Sequence, residues 1–133
     1  MKGFFKALFV AVLIIAGCVH VTRFDQDTYR YLTFTKADVV QLYKDKGNID
    51  VYEWELKADS ILEYMNRMIE YETNKVKNED TAKQFKALKD IYVAHIEDEE
   101  WDDLERELYM DTITLAFDGL IATENSKSRG SIF

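Results

Sequence analysis

The chain has no proline in 133 residues, and this absence restricts the folds open to it more than any other feature. Proline and glycine are the residues that most often interrupt helices. Of the five glycines, those beyond residue 18 are Gly47, Gly119 and Gly130. So few interruptions over this length favour long helices, and a hydrophobic content of 47% argues against disorder. We therefore expect an all-α fold.

Apolar periodicity predicts an antiparallel bundle of three main helices plus a short N-terminal helix, preceded by an extended tether. The tether is assigned to residues 18–34. Its β-forming stretch 28–34 predicts either an extended segment lying across the helices or a strand that pairs with a partner's sheet edge. The bundle is assigned to residues 35–125, and residues 126–133 are expected to form a flexible polar tail.

Capping signals predict where the helices begin. Residues 35–38, Thr-Lys-Ala-Asp, resemble a capping box, so the short first helix is expected to start there and to end near Gly47. Asp50 precedes the second helix, which has the clearest amphipathic pattern in the chain. Asp80 or Thr81 would cap the third helix.

The acidic run at 97–103 is interpreted as a corner between the third and fourth helices. The apolar stripe slips in phase between Ile96 and Trp101, and acidic residues suit the first turn of a new helix. The alternative is a single helix from about 81 to about 122, which would be roughly 60 Å long at 1.5 Å per residue.

The first 18 residues have a different character from the rest. Lys2 and Lys6 form a short basic head, and an apolar run follows at 7–17. This order matches the n-region and h-region of a secretory signal. The run is shorter than the roughly 20 apolar residues that a membrane-spanning helix needs.

The end of that run, Ile15-Ala16-Gly17-Cys18, resembles the lipobox of bacterial lipoproteins. In that class the cysteine receives a diacylglyceryl thioether, the chain is cut just before it, and the new amino group is acylated. The resemblance implies that residues 1–17 are a signal peptide, that cleavage falls between Gly17 and Cys18, and that Cys18 carries a lipid anchor. Val19 in place of aspartate favours the periplasmic leaflet of the outer membrane, by analogy with enteric bacteria.

One further observation bears on the anchor, and one alternative to it stays open. Cys18 is the only cysteine in the chain, so it has no partner for an internal disulfide. The alternative to lipidation is an uncleaved inner-membrane anchor, with residues 3–22 retained as a single transmembrane helix and Cys18 a small apolar residue within it.

Charge limits the classes of partner. The formal net charge is −8, and removal of Lys2 and Lys6 with the signal peptide would leave −10. Nucleic acids and anionic lipid surfaces bind proteins that supply cationic groups. The sequence therefore predicts no nucleic-acid partner.

Catalytic and cofactor signatures are weak throughout the chain. His95 lies three and four residues from Asp98 and Glu99, so a base or a weak metal ligand is one interpretation and a half-buried histidine is the other. The acidic run at 97–103 lacks the glycine of a calcium loop. We therefore predict no metal, no cofactor and no enzymatic activity.

The function that these features favour is a small lipid-anchored envelope protein, acting as a non-enzymatic binding or assembly factor. Two alternatives stay open: a membrane-tethered inhibitor or immunity protein against toxins or phage, and a single-pass subunit of a membrane complex. The residues expected to face a protein partner are the aromatics of the tether and the methionines of the second helix, Tyr29, Tyr31, Phe34, Met65 and Met68.

Overall fold

A computed structural model describes residues 23–127 of the chain, and all regular structure in this range is helical. There are four helices here, α1 Gln26–Asp45, α2 Val51–Thr73, α3 Glu79–Glu97 and α4 Asp103–Ser126. The predicted signal peptide, its cleavage site and the lipidation site at Cys18 lie outside the described residues, as do residues 128–133 of the predicted tail.

The helices form an up-down-up-down bundle in which each packs against its two neighbours in the ring, most extensively α1 with α4 and α2 with α3. Connections of five residues each force consecutive helices to run antiparallel. The backbone N–H of Asp25 donates to Glu124 over 2.7 Å, so the start of α1 lies beside the end of α4. Arg106 donates to the carbonyl of Tyr43 over 2.8 Å and ties the start of α4 to the end of α1.

This topology gives the bundle two different ends. We call the terminal end the one where α1 and α3 begin and α2 and α4 end; it carries the connection 74–78. The distal end is the opposite one, where α1 and α3 end and α2 and α4 begin; it carries the connections 46–50 and 98–102. Both boundaries of the described chain, residues 23 and 127, lie at the terminal end.

The first helix differs from the prediction. The expected short helix after a tether at 18–34 is wrong over residues 26–34, because α1 starts at Gln26 and has 20 residues. Its cap is Asp25, whose carboxylate accepts from the backbone N–H groups of Asp27 and Thr28. The β-forming stretch 28–34 is helical because its buried residues recur with helical spacing, and packing of that face outweighs strand propensity. The buried residues of α1 are Thr28, Tyr31, Leu32, Thr35, Val39, Leu42 and Tyr43.

The other three helix starts agree more closely with the capping signals. Asp50 caps α2, as predicted, through hydrogen bonds from Tyr52 and Glu53. The predicted corner is confirmed, since residues 98–102 separate α3 from α4 and Asp102 forms a capping box with Glu105. The expected cap of α3 at Asp80 or Thr81 is wrong by two or three residues, because Asn78 occupies that position.

The core runs the length of the bundle and uses one face of every helix. Its fully buried large side chains come from all four helices, and they are Leu32, Leu42, Tyr43, Met65, Phe85, Leu88, Ile91, Tyr92, Ile113, Phe117 and Leu120. The apolar residues of α4 are only partly buried, because Leu104 and Leu115 are exposed.

Candidate functional site

The residues predicted to face a partner do not share one surface. Tyr31 and Met65 are 3% and 1% exposed and belong to the core, so the prediction that they contact a partner is wrong. Tyr29 and Met68 are half-buried, and Phe34 is 66% exposed. The error follows from treating residues 28–34 as a tether, since helical geometry turns Tyr31 inward and Phe34 outward.

The surface with the most distinctive chemistry is an open groove of about 740 Å³ at the distal end. The connection between α1 and α2 forms one wall, and the connection between α3 and α4 forms the other. Trp54, in the first turn of α2, and Trp101, in the 98–102 connection, line the groove. They are the only two tryptophans of the chain.

Both indoles are held in place by the ends of neighbouring helices. The Trp54 Nε1–H donates to the carbonyl of Leu42 over 2.9 Å, and the Trp101 Nε1–H donates to that of His95 over 3.1 Å. The two rings meet edge to face, with centroids 6.0 Å apart and an interplanar angle of 86°. Trp54 is 5% exposed and Trp101 is half-buried, so only a small part of either ring borders the groove. The face of an indole is electron-rich and attracts cations.

The ammonium group of Lys46 lies over both indole rings. Its Nζ lies 3.9 Å from the centroid of the Trp54 ring and 5.2 Å from that of Trp101, within the range of a cation–π interaction. Partial burial lowers the pKa of the Lys46 ammonium, and the nearby carboxylates of Asp98 and Glu55 oppose that shift. The groove thus holds a cation that has lost part of its hydration.

The distal end also carries the negative charge of the molecule. Segments 44–57 and 95–107, which form this end, contain twelve carboxylates and four basic side chains, a formal net charge of −8. The whole chain has the same net charge, so everything outside these two segments sums to zero. Charge of one sign gathered on one end attracts basic molecules and accelerates their association.

His95 lies under this end but does not line the groove. It is 1% exposed, its Nδ1 is 2.7 Å from the hydroxyl of Tyr43, and its ring stacks on Tyr109 at a centroid distance of 4.1 Å. Its Nε2 has no hydrogen-bond partner among the described residues. Burial lowers the pKa of His95 to about 4, against the raising effect of Asp98. The carboxylate of Asp98 accepts instead from the Tyr109 hydroxyl, over 2.6 Å, so the predicted His–carboxylate pair is not a hydrogen-bonded one.

The terminal end has a different construction, with two buried carboxylates that each receive an ammonium group. Glu72 is bound by Lys75 over 3.1 Å, and Glu124 by Lys127 over 2.8 Å. Asn78 uses its amide to donate to Glu72 over 2.6 Å. Burial of a carboxylate is tolerated when it is paired and hydrogen-bonded in this way. The network joins the start of α1 to the ends of α2 and α4.

Asp25 belongs to the same network. Partial burial raises the pKa of its carboxyl, but hydrogen bonds from Lys75 and Tyr71 and the charge of Lys75 bring that pKa well below the usual value. The Lys75 ammonium is 2.8 Å from Asp25, and the Tyr71 hydroxyl donates to the same carboxylate over 2.7 Å. The carboxylates Asp25, Glu72 and Glu124 of the terminal end are therefore each paired with an ammonium group.

Two features are absent from residues 23–127. No three histidine, cysteine, aspartate or glutamate side chains in this range are grouped as a metal site would require. Within the same range, none of the helices combines the length and apolar character needed to cross a membrane. No protein-family model, curated protein or solved structure matches the chain.

Sequence reasoning did not identify the groove, although one signal for it is present. Each tryptophan lies within a turn of a predicted helix start, one after Asp50 and one in the corner at 97–103. In an antiparallel bundle the first and third connections lie at the same end. The two tryptophans would therefore be expected at the same end of the bundle. Lys46, in contrast, has no sequence signal that distinguishes it from other lysines.

Proposed function

We propose that this chain is a lipid-anchored protein of a bacterial cell envelope and that it binds a basic protein partner through its distal end. The anchor is Cys18, on the strength of the lipobox at 15–18. The binding end is argued from charge, since segments 44–57 and 95–107 hold a net −8 of the −10 that remains once residues 1–17 are removed. That concentration is the observation that carries the proposal.

In this proposal the anchor precedes the terminal end of the bundle in the sequence, and the binding surface is the distal end. Cys18 precedes Asp25 by seven residues, which extend over at most about 25 Å. Asp25 lies at the terminal end, so the anchor would draw that end toward the bilayer. The helices hold the distal end roughly 30 Å further out, at 1.5 Å per residue. A retained transmembrane helix at 3–22 would orient the bundle in the same way.

Electrostatics favour this orientation. Anionic lipid headgroups repel carboxylates and attract basic side chains. The acidic distal end is therefore disfavoured at the membrane surface, while the paired carboxylates Asp25, Glu72 and Glu124 of the terminal end add little to such a penalty. The binding surface would face the space beyond the membrane.

The same charge favours a second function, that of an inhibitor or immunity protein. An acidic surface held above a membrane intercepts a basic enzyme or toxin, because attraction at a distance raises the association rate. The two functions differ in what happens after binding. Expression of the protein would protect cells from a basic lytic or toxic protein in the second case and leave sensitivity unchanged in the first.

Site-specific photo-crosslinking in cells tests which end binds. A photoreactive amino acid replaces Tyr52, exposed at the distal end, or Val76, exposed at the terminal end. We expect a discrete protein adduct of basic isoelectric point from position 52 and none from position 76. Equal adducts at both positions, or no protein adduct at position 52, would contradict the proposal.

A charge-reversal pair supplies the control. Glu99→Lys with Glu100→Lys at the groove should abolish the adduct from position 52. Glu63→Lys with Glu70→Lys makes the same change of net charge on exposed positions of α2, away from the distal end, and should leave most of the adduct. Equal loss in both variants would assign the attraction to net charge rather than to the distal end.

A further inference from the structure

The distal groove combines three features that are seldom found together on a solvated surface. It has two fixed indole rings, Trp54 and Trp101, and a surplus of carboxylates, and it is large enough for several residues of a peptide. The carboxylates on its walls are Glu55, Glu99, Glu100 and Asp102. The basic side chains on its walls are Lys46 and Arg106.

Arg106 and Lys46 each offset part of this negative charge, but only Lys46 is free to leave the groove. Arg106 is engaged on the backbone, since its Nη1 donates to the Tyr43 carbonyl over 2.8 Å. The ammonium group of Lys46 ends a flexible side chain and contacts the indole faces. Among the described residues, no carboxylate lies within 4.0 Å of it to form an ion pair. A lysine side chain of this kind leaves its position by rotation of its stem alone.

The position of Lys46 reveals what the indole faces accept. Its ammonium stands 3.9 Å from the Trp54 centroid, where a ring of this type attracts a cation most strongly. An external cation placed there would gain the same attraction together with that of the surrounding carboxylates. Lys46 thus acts as an internal occupant that an external ligand can replace.

We propose that the groove binds an arginine side chain within a basic segment of the partner protein, and that this arginine displaces Lys46 from the face of Trp54. This inference rests on the proposed function, because it assigns the chemistry by which the distal end would recognise its partner. A displaced Lys46 returns to water, where its ammonium regains full hydration.

Arginine fits the groove better than lysine for geometric reasons. A guanidinium is planar, so it stacks on an indole face and still directs its N–H groups sideways. Those N–H groups meet carboxylates such as Glu99 and Glu100 in bidentate pairs, which an ammonium cannot form. A lysine would reproduce the attraction to the ring but not the paired hydrogen bonds.

Tryptophan fluorescence provides a direct readout, because both tryptophans of the chain line the groove. The full chain, extracted from membranes in a neutral detergent, is titrated with a tetra-arginine peptide. The matched probe is tetra-citrulline, which keeps the shape of arginine and removes its charge. We expect tetra-arginine to shift the emission saturably and tetra-lysine to bind more weakly. Tetra-citrulline should have no effect.

Removal of the internal occupant separates the groove from general attraction. Lys46→Ala and Lys57→Ala both lower the net charge by one at the distal end, but Lys57 lies outside the groove and pairs with Glu53 over 3.0 Å. We expect Lys46→Ala to tighten tetra-arginine binding about fivefold, the factor for one exposed cation–π contact. Lys57→Ala should tighten it less than about twofold, since exposed charges are screened by salt.

Three results would overturn the inference: no saturable shift with tetra-arginine, an equal shift with tetra-citrulline, or equal tightening by the two lysine variants. These outcomes are separable from failure of the proposed function. A distal cross-link without arginine binding would refute the groove alone. Arginine binding without any distal cross-link in cells would refute the proposed partner and leave the groove chemistry standing.

Discussion

His95 is a single side chain whose environment makes the stability of the bundle depend on pH. It is neutral and buried between Tyr43 and Tyr109, and burial lowers its pKa to about 4. An unfolded chain would hold the same imidazole at a pKa near 6.5. Between these two values the unfolded state binds the proton and the folded state does not, so stability falls as the pH falls through this window.

We predict that the free energy of unfolding drops by about 2 kcal/mol between pH 7.5 and pH 5 because of His95. The measurement is urea unfolding at both pH values. Asp25 does not add to this change, because its lowered pKa confines its contribution to a loss below about pH 4.

The variant His95→Asn should be nearly independent of pH over this range, whatever its own stability. His20→Gln, at the other histidine of the chain, should keep the full dependence. A pH dependence that survives in His95→Asn would show that another group is responsible.

At the scale of the element, α1 shows where sequence patterns succeed and where they do not. The starts of α2 and α4 could be predicted because acidic caps precede clear apolar periodicity. The start of α1 could not be predicted in the same way, because Thr, Tyr and Phe at 28–34 have strand propensity and mask the helical spacing of the buried positions. The buried positions of this stretch follow the helical period, and they are Thr28, Tyr31, Leu32 and Thr35. Two of the four are threonines, which are not counted as apolar, so the apolar pattern at these positions is weak.

A pair of substitutions within that stretch tests its observed conformation. Tyr31→Ala removes a ring that contacts Phe85 and Tyr64, at centroid distances of 5.6 and 5.1 Å, and should lower the free energy of unfolding by about 3 kcal/mol. Phe34→Ala, three residues on but exposed, should change it by less than about 0.5 kcal/mol. Chemical unfolding followed by circular dichroism measures both. Similar small effects at the two positions would match the extended tether and contradict the helix.

At the scale of the whole molecule, the candidate site depends on relations that no local pattern contains. Trp54 and Trp101 lie 47 positions apart in the sequence, and only the up-down-up-down order brings them to one end. The charge distribution also depends on the fold, since a net charge of −8 does not indicate that the carboxylates are concentrated at the distal end. The buried carboxylate Glu72 lies in α2, but the side chains that bind it come from α1 and from the connection 74–78.

The two ends of the bundle differ in their charges and in their distance along the chain from Cys18. The terminal end is fastened by paired charges and lies next to the segment that leads to Cys18, whereas the distal end carries the unbalanced carboxylates and the aromatic groove. An anchor at Cys18 would therefore fix the orientation of the bundle relative to the membrane. That anchor is the claim on which the proposed function depends most.

Intact-mass spectrometry of the protein extracted from bacterial membranes tests this claim directly. We predict a chain that begins at Cys18, lacks residues 1–17 and carries the added mass of a diacylglyceryl group and an amide-linked acyl chain. Cys18→Ser should keep its N-terminal segment and gain no lipid mass. A wild-type chain that retains residues 1–17 with an unmodified Cys18 thiol would contradict the account.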